Sequence, residues 1–253
     1  MMPVIPFLKI ALLASLLISN GANCQPISAW GNGSLPPMAY MEGDVPKGFG
    51  IEIVQAVLDE AGVDFRFKMA PWKRAYIEGK RGQGLVFGMF LTKDRAKIFD
   101  FSKPLWSEKI VLVTRKGKEF PFEKIADLKG KRISLQRGTR PGTEFENALK
   151  NQLFVAAPNN SPIERVGILM HGQVDGAIFN PGIASVVWNA RLAGFSMNKL
   201  TVLTKPLAVK DKHIGILKSL HKTQLMEKIN HAIDALNQRG VIQGIMKRYE
   251  TLD

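Results

Sequence analysis

The stretch GFGIEIVQAVLDEAGVDFRFK, residues 48–68, changes its hydrophobic period once, and that change decides the class of fold. Ile51, Val54, Val57, Leu58 and Ala61 recur at spacings of three and four, which predicts an amphipathic helix over residues 51–61 that ends before Gly62. From Val63 to Lys68 apolar and polar residues alternate, the period of a half-exposed strand. Upstream, Pro26 to Tyr40 reads as a first strand running into a Gly- and Pro-punctuated loop that ends in Pro36-Pro37-Met38. Downstream, Pro71-Trp72-Lys73-Arg74-Ala75 opens a helix with proline in its first turn, and residues 84–90 form a short apolar, glycine-bearing run suited to a buried strand. Strand, helix, strand, helix, strand is the wiring of an α/β fold with parallel strands.

The pattern then begins again. Ile110 to Val113 is a strand, residues 125–131 a turn, Arg132 to Leu135 a strand, and a helix is expected to open near Thr139. Val174 to Phe179 supplies a further strand. Leu225, Ile229, Ala232, Ile233 and Leu236 mark a C-terminal helix, Gly240 punctuates it, and Ile242 to Tyr249 forms a last short helix.

With 45% hydrophobic and 23% charged residues over 253 positions, the chain has the composition of a globular protein with one large or two modest cores, and disorder is excluded. Residues 1–24 differ from the rest. Lys9 is their sole charge, Ile10 to Ile18 is an unbroken apolar run, and small or polar residues follow, which is the pattern of a cleavable secretory signal. Nine apolar residues are about half of what a membrane span needs, and no other stretch comes closer, so the mature chain is expected to be soluble and periplasmic. Cys24 is the only cysteine, so packing alone must hold the fold. Gly21-Ala22-Asn23 before it lacks the leucine and small residue of a lipoprotein signal. The net charge is +13, but Lys116, Lys118, Lys124, Lys129 and Lys131 alternate with Glu119, Glu123 and Asp127, a solvated basic surface rather than a nucleic-acid module.

Several motifs, taken in this order, resemble the family-3 extracellular solute-binding proteins, the amino-acid-type receptors of ABC importers. They are Pro36-Pro37-Met38, Gly48-Phe49-Gly50-Ile51, Thr92-Lys93-Asp94-Arg95-Ala96 with Phe101-Ser102-Lys103-Pro104, Asp127-Leu128-Lys129-Gly130 with Gln136-Arg137-Gly138-Thr139, Gly172 to Asp175, and Gly240 with Lys247-Arg248-Tyr249. The Pro71 to Ala75 stretch resembles a variant branch. The resemblance implies a type II periplasmic-binding-protein fold of two α/β lobes. Two crossings fall near Val111 to Arg115 and Val202 to Pro206, with residues 25–112 plus 206–253 in lobe 1 and 113–205 in lobe 2. It also implies a monomer that needs no cofactor, takes a small-molecule ligand in the interlobe cleft, and delivers it to an ABC permease.

Arg95 stands at the position where the family binds a ligand carboxylate, whose two oxygens match a guanidinium fork; on sequence alone it is an ordinary surface arginine. Thr92 brings a hydroxyl nearby, and Met89 and Phe90 would lend backbone groups. Thr139, followed by Arg140, marks the second lobe's contact, where a threonine can either meet the ligand or cap its own helix. Asn180 occupies the place where amino-acid-binding members carry an aspartate for the ligand ammonium, although Asn180-Pro181 also suits a turn. With Arg95 and Arg140 and no evident counter-anion, this departure favours a carboxylate-bearing ligand richer in negative charge than a zwitterion, unless Glu42 or Glu78 supplies the missing acid. Trp72 is a candidate stacking wall or core residue; Phe49 reads as core, as do Trp30, Trp106 and Trp188.

Two other functions remain open at this level: a dehydratase-like enzyme of the same fold, and a sensory binding domain. His171, His213, His221 and His231 form no triad or metal-spacing motif, which speaks against catalysis. The chain reaches Asp253 with no signalling domain, which favours a freestanding receptor. Mass spectrometry of the exported protein should find a soluble chain whose N-terminus lies between residues 22 and 26; an intact Met1 or a diacylglycerol on Cys24 would refute the signal assignment.

Overall fold

The computed structural model describes residues 25–136, 142–159 and 161–251. The signal segment, Thr139 and Arg140 therefore lie outside the described residues. The N-terminal half runs β1 (Ile27–Asn32), β2 (Ser34–Leu35), β3 (Ala39–Glu42), β4 (Val45–Lys47), α1 (Phe49–Glu60), β5 (Phe65–Ala70), α2 (Trp72–Lys80), β6 (Leu85–Phe90), α3 (Lys93–Ala96), β7 (Phe99–Phe101) and β8 (Trp106–Arg115). The rest runs β9 (Arg132–Gln136), α4 (Thr143–Lys150), β10 (Val155–Asn159), α5 (Pro162–Met170), β11 (Gly176–Phe179), α6 (Gly182–Leu192), β12 (Leu200–Val202), β13 (Ala208–Leu217), α7 (Thr223–Gln238) and α8 (Val241–Glu250).

Two parallel-stranded units share one hydrogen-bonded path, β10-β9-β11-β8-β13-β6-β1-β5. In the first, β1 pairs in parallel with both β5 and β6. In the second, β9 pairs in parallel with β10 and β11. The strand β8 belongs to both: residues 106–110 pair with β13, and residues 111–115 pair with β11 and β12. The molecule thus has two α/β lobes.

Each lobe buries its own cores. One face of the first sheet packs on α1, α7 and α8 through Ile53, Val57, Leu58, Ile229, Ile233 and Leu236, while Val86, Met89 and Phe99 pack on the other side with Tyr76 of α2. In the second lobe successive residues of β8 serve opposite cores, Ile110 and Leu112 on one face and Val111 and Val113 on the other. That strand is covered on both sides, and so its sequence is continuously apolar there.

One expectation needs correction. The stretch 26–40 is not one strand running into a loop, because β1 ends at Asn32 and the chain folds into a small antiparallel sheet, β2-β3-β4, that brings Met38 back beneath Gly50. The helix opening expected near Thr139 falls outside the described residues; the helix that follows there, α4, runs from Thr143 with Gly142 at its N-cap.

Gly84, just before β6, lies close against the backbone of β1. It has φ +125°, and a Cβ would lie 2.0 Å from the backbone oxygen of Ser28 on β1. Gly43 has φ +59° with open space around it. In urea unfolding, Gly84→Ala should cost about 3 kcal/mol and Gly43→Ala only about 1 kcal/mol. Equal costs would mean that β1 yields and the close approach carries no stability.

Candidate functional site

A cleft of about 290 Å³ opens between the lobes, lined by Asn32, Leu35, Met38, Trp72, Phe87, Gly88, Phe90, Arg95, Glu108, Asn180, Pro181 and Lys212. Its walls come from the C-terminal ends of parallel strands: Asn32 ends β1, Phe90 ends β6 and Asn180 follows β11. Open α/β sheets hold ligands at this edge, because the loops and helix starts there leave backbone groups free. Gly88, at φ +71° with nothing within 4 Å of its missing Cβ, leaves its backbone open toward the cleft. Gly31, on the neighbouring strand, makes room for the Phe87 ring, whose Cζ would lie 2.0 Å from a Cβ there.

Arg95 is held in place before any ligand arrives. Its Nη1 donates to the Phe90 carbonyl oxygen at 2.9 Å, and its guanidinium carbon lies 5.4 Å from both the Trp72 and Tyr76 ring centroids. Those rings stand 6.1 Å apart on α2, at positions i and i+4, so one helix face supplies both supports. The remaining donors of the fork have no carboxylate partner among the described residues.

The other predicted residues are placed as follows. Trp72, Phe90 and Asn180 share the cleft with Arg95. Thr92 is exposed and its hydroxyl accepts from the Arg95 backbone N–H at 3.3 Å, capping α3. Met89 is fully buried, its backbone paired with His213, and the alternation of the strand turns it away from Gly88 and Phe90. Asn180 is exposed, is joined to Pro181 by a cis peptide, and lines the cleft. Phe49 is 2% exposed and packs edge-on to Trp106 and Tyr249, a core residue. Glu42 pairs with Lys47 in the small sheet, and Glu78 pairs with Arg81 at 3.5 Å; neither lines the cleft.

The acidic residue of the cleft is Glu108, which the sequence reading missed together with Lys212. Lys212 Nζ lies 3.0 Å from Glu108 Oε2, with 7% and 3% of the two side chains exposed. Lys212 Nζ also stands 3.5 Å from the Phe90 ring centroid, and Lys210 Nζ 5.5 Å from it. Burial pushes the Lys212 pKa below its usual value; Glu108 opposes that shift, while Arg95 and Lys210 add to it. A signal was present: Trp106, Glu108 and Ile110 lie on one face at period two, so a carboxylate sits in the buried phase of a strand.

His213 is 8% exposed, with Nδ1 2.8 Å from the Ser102 carbonyl oxygen. Among the described residues no group of three or more His, Cys, Asp or Glu side chains is placed to hold a metal ion.

The chain resembles known proteins along nearly its whole length. It is 24% identical over 227 residues to the L-cystine-binding protein TcyJ of Escherichia coli strain K12, covering 86% of this chain and 79% of that one. It is 22% identical to the arginine-binding extracellular protein ArtP of Bacillus subtilis strain 168, covering 85% and 82%. Its fold superposes on the second substrate-binding domain of a putative amino acid ABC transporter from Streptococcus pneumoniae with a TM-score of 0.72 at 18% identity, covering 89% of this chain and all of that domain. Residues 28–251 match the family model itself. Two α/β lobes around a cleft, and a match spanning both, lead to one conclusion: the chain belongs to the bacterial extracellular solute-binding proteins, family 3.

Proposed function

We propose that this protein captures a small carboxylate-bearing solute outside the inner membrane and hands it to an ABC-type permease. The observation that carries the reading is Arg95, a guanidinium oriented by a carbonyl and two aromatic rings at the wall of an interlobe cleft. Little side-chain freedom is left to lose on binding, so most of a charge-assisted bidentate contact would appear as affinity. The names of its relatives point the same way, since they bind amino acids, each of which bears a carboxylate.

The Pro71-Trp72 start of α2 contributes to this reading because Trp72 is one of the two rings against Arg95. The lobe boundary expected at residues 112/113 lies two residues beyond the point, between Ile110 and Val111, at which β8 passes from β13 to β11. Exported receptors of this kind close their lobes about the crossings, which would bring Asn180 closer to Arg95. Export follows from the signal pattern of residues 1–24.

Calorimetry with a ligand found by thermal-shift screening tests the role of Arg95. Arg95→Ala should weaken binding by roughly 30-fold to a few thousandfold, equivalent to about 2 to 5 kcal/mol. An unchanged dissociation constant would leave Arg95 as a surface residue and remove the main support for carboxylate capture. Asn180→Asp should weaken an anionic ligand by repulsion, by about tenfold or more, and leave a zwitterion unchanged or improved. Equal responses of both ligand classes would show that Asn180 does not read ligand charge.

A further inference from the structure

Glu108 and Lys212 have a consequence for ligand choice beyond the capture of a carboxylate, on which it nonetheless rests. The ionisable side chains lining the cleft among the described residues are Arg95, Glu108 and Lys212. Glu108 is the group to which a ligand ammonium would turn in the absence of an aspartate at position 180, but its Oε2 is already taken by Lys212 at 3.0 Å. An entering ammonium could reach only the other oxygen of a carboxylate whose charge Lys212 already neutralises, and would sit between that buried cation and Arg95. A carboxylate meets the opposite situation, with Arg95 on the wall and Lys212 held against the Phe90 ring nearby. A desolvated ion without a partner is costly, so the two ligand types are separated by a large free-energy difference. Leu35, Met38, Phe87 and Phe90 supply an apolar surface for the rest of the molecule.

We propose that the Glu108–Lys212 pair is the specificity determinant of this receptor: it withholds the cleft's carboxylate from ligand ammonium groups and selects small carboxylic acids that lack one, with an apolar body. Lys212 acts both as lock on Glu108 and as second cation for the ligand. Removing the lock should convert the site into one for amino acids.

The test uses matched probes that differ only in the ammonium group: 4-methylpentanoate against L-leucine and 3-phenylpropanoate against L-phenylalanine. Each is titrated calorimetrically into the mature wild-type protein and variants. In the wild type the acid without an ammonium should bind at least tenfold more tightly than its amino acid. Lys212→Met should lower acid affinity at least tenfold and reverse the order, because Glu108 is then free to accept an ammonium. The double variant Lys212→Met with Glu108→Gln should lose the reversal. Glu108→Gln alone keeps the shape of the site and should widen the wild-type preference severalfold, which keeps the test decisive if a lone buried Glu108 prevents Lys212→Met from folding. Tighter binding of the amino acids to the wild type overturns the inference. So does an order that neither Lys212→Met nor Glu108→Gln changes while Arg95→Ala still abolishes binding. Binding that survives Arg95→Ala overturns carboxylate capture itself, and failure of all four probes to bind overturns both.

Discussion

The pairing of two ten-residue strands, Trp106–Arg115 and Ala208–Leu217, is the constraint on which the rest of the molecule depends. Their ladder from Ile110–Ala208 to Trp106–Lys212 belongs to the first lobe. At Val111, which pairs with Phe179, β8 passes into the second lobe. The same face of β8 presents Trp106 to the core of the first lobe, Ile110 to a core of the second, and Glu108 to the gap between them. A continuous ladder keeps backbone groups satisfied across a region where side-chain cores stop, and the interruption of the cores is the cleft.

Charge at that gap has a physical cost, and the structure shows how it is limited. Glu108 and Lys212 neutralise one another diagonally across the strand pair, and the Phe90 ring shields the ammonium. Buried ion pairs of this kind add little to stability compared with apolar residues of similar size. Their presence at the floor of a cleft, rather than inside either core, fits a role in choosing among ligands. Arg95 follows the same logic at the wall, where two aromatic faces and a carbonyl order the guanidinium without neutralising it. The floor thus carries a compensated charge and the wall an uncompensated one, a difference that gives the cleft its net cationic character.

Local sequence was sufficient wherever one element decided its own conformation. The period change at Gly62 marked α1 and β5 to within two residues at each boundary, because one face of each is buried and the other is not. The motifs that suggested the family also identified Arg95, Trp72, Phe90 and Asn180, which the fold gathers around one cleft. Composition and the apolar run of residues 10–18 indicated an exported globular chain held together without disulfides. Tertiary structure alone decided which charges face one another. Glu108 and Lys212 lie 104 positions apart in sequence, and nothing local to either says that antiparallel pairing of Lys210 with Glu108 will set the ammonium beside the carboxylate. The same holds for Thr92, whose hydroxyl turns to its own helix, and for Glu42 and Glu78, whose partners lie elsewhere than the cleft. Periodicity reports how each residue stands to its own helix or strand, whereas the charge of a cleft depends on distances across strands that only the folded chain brings within a few ångströms.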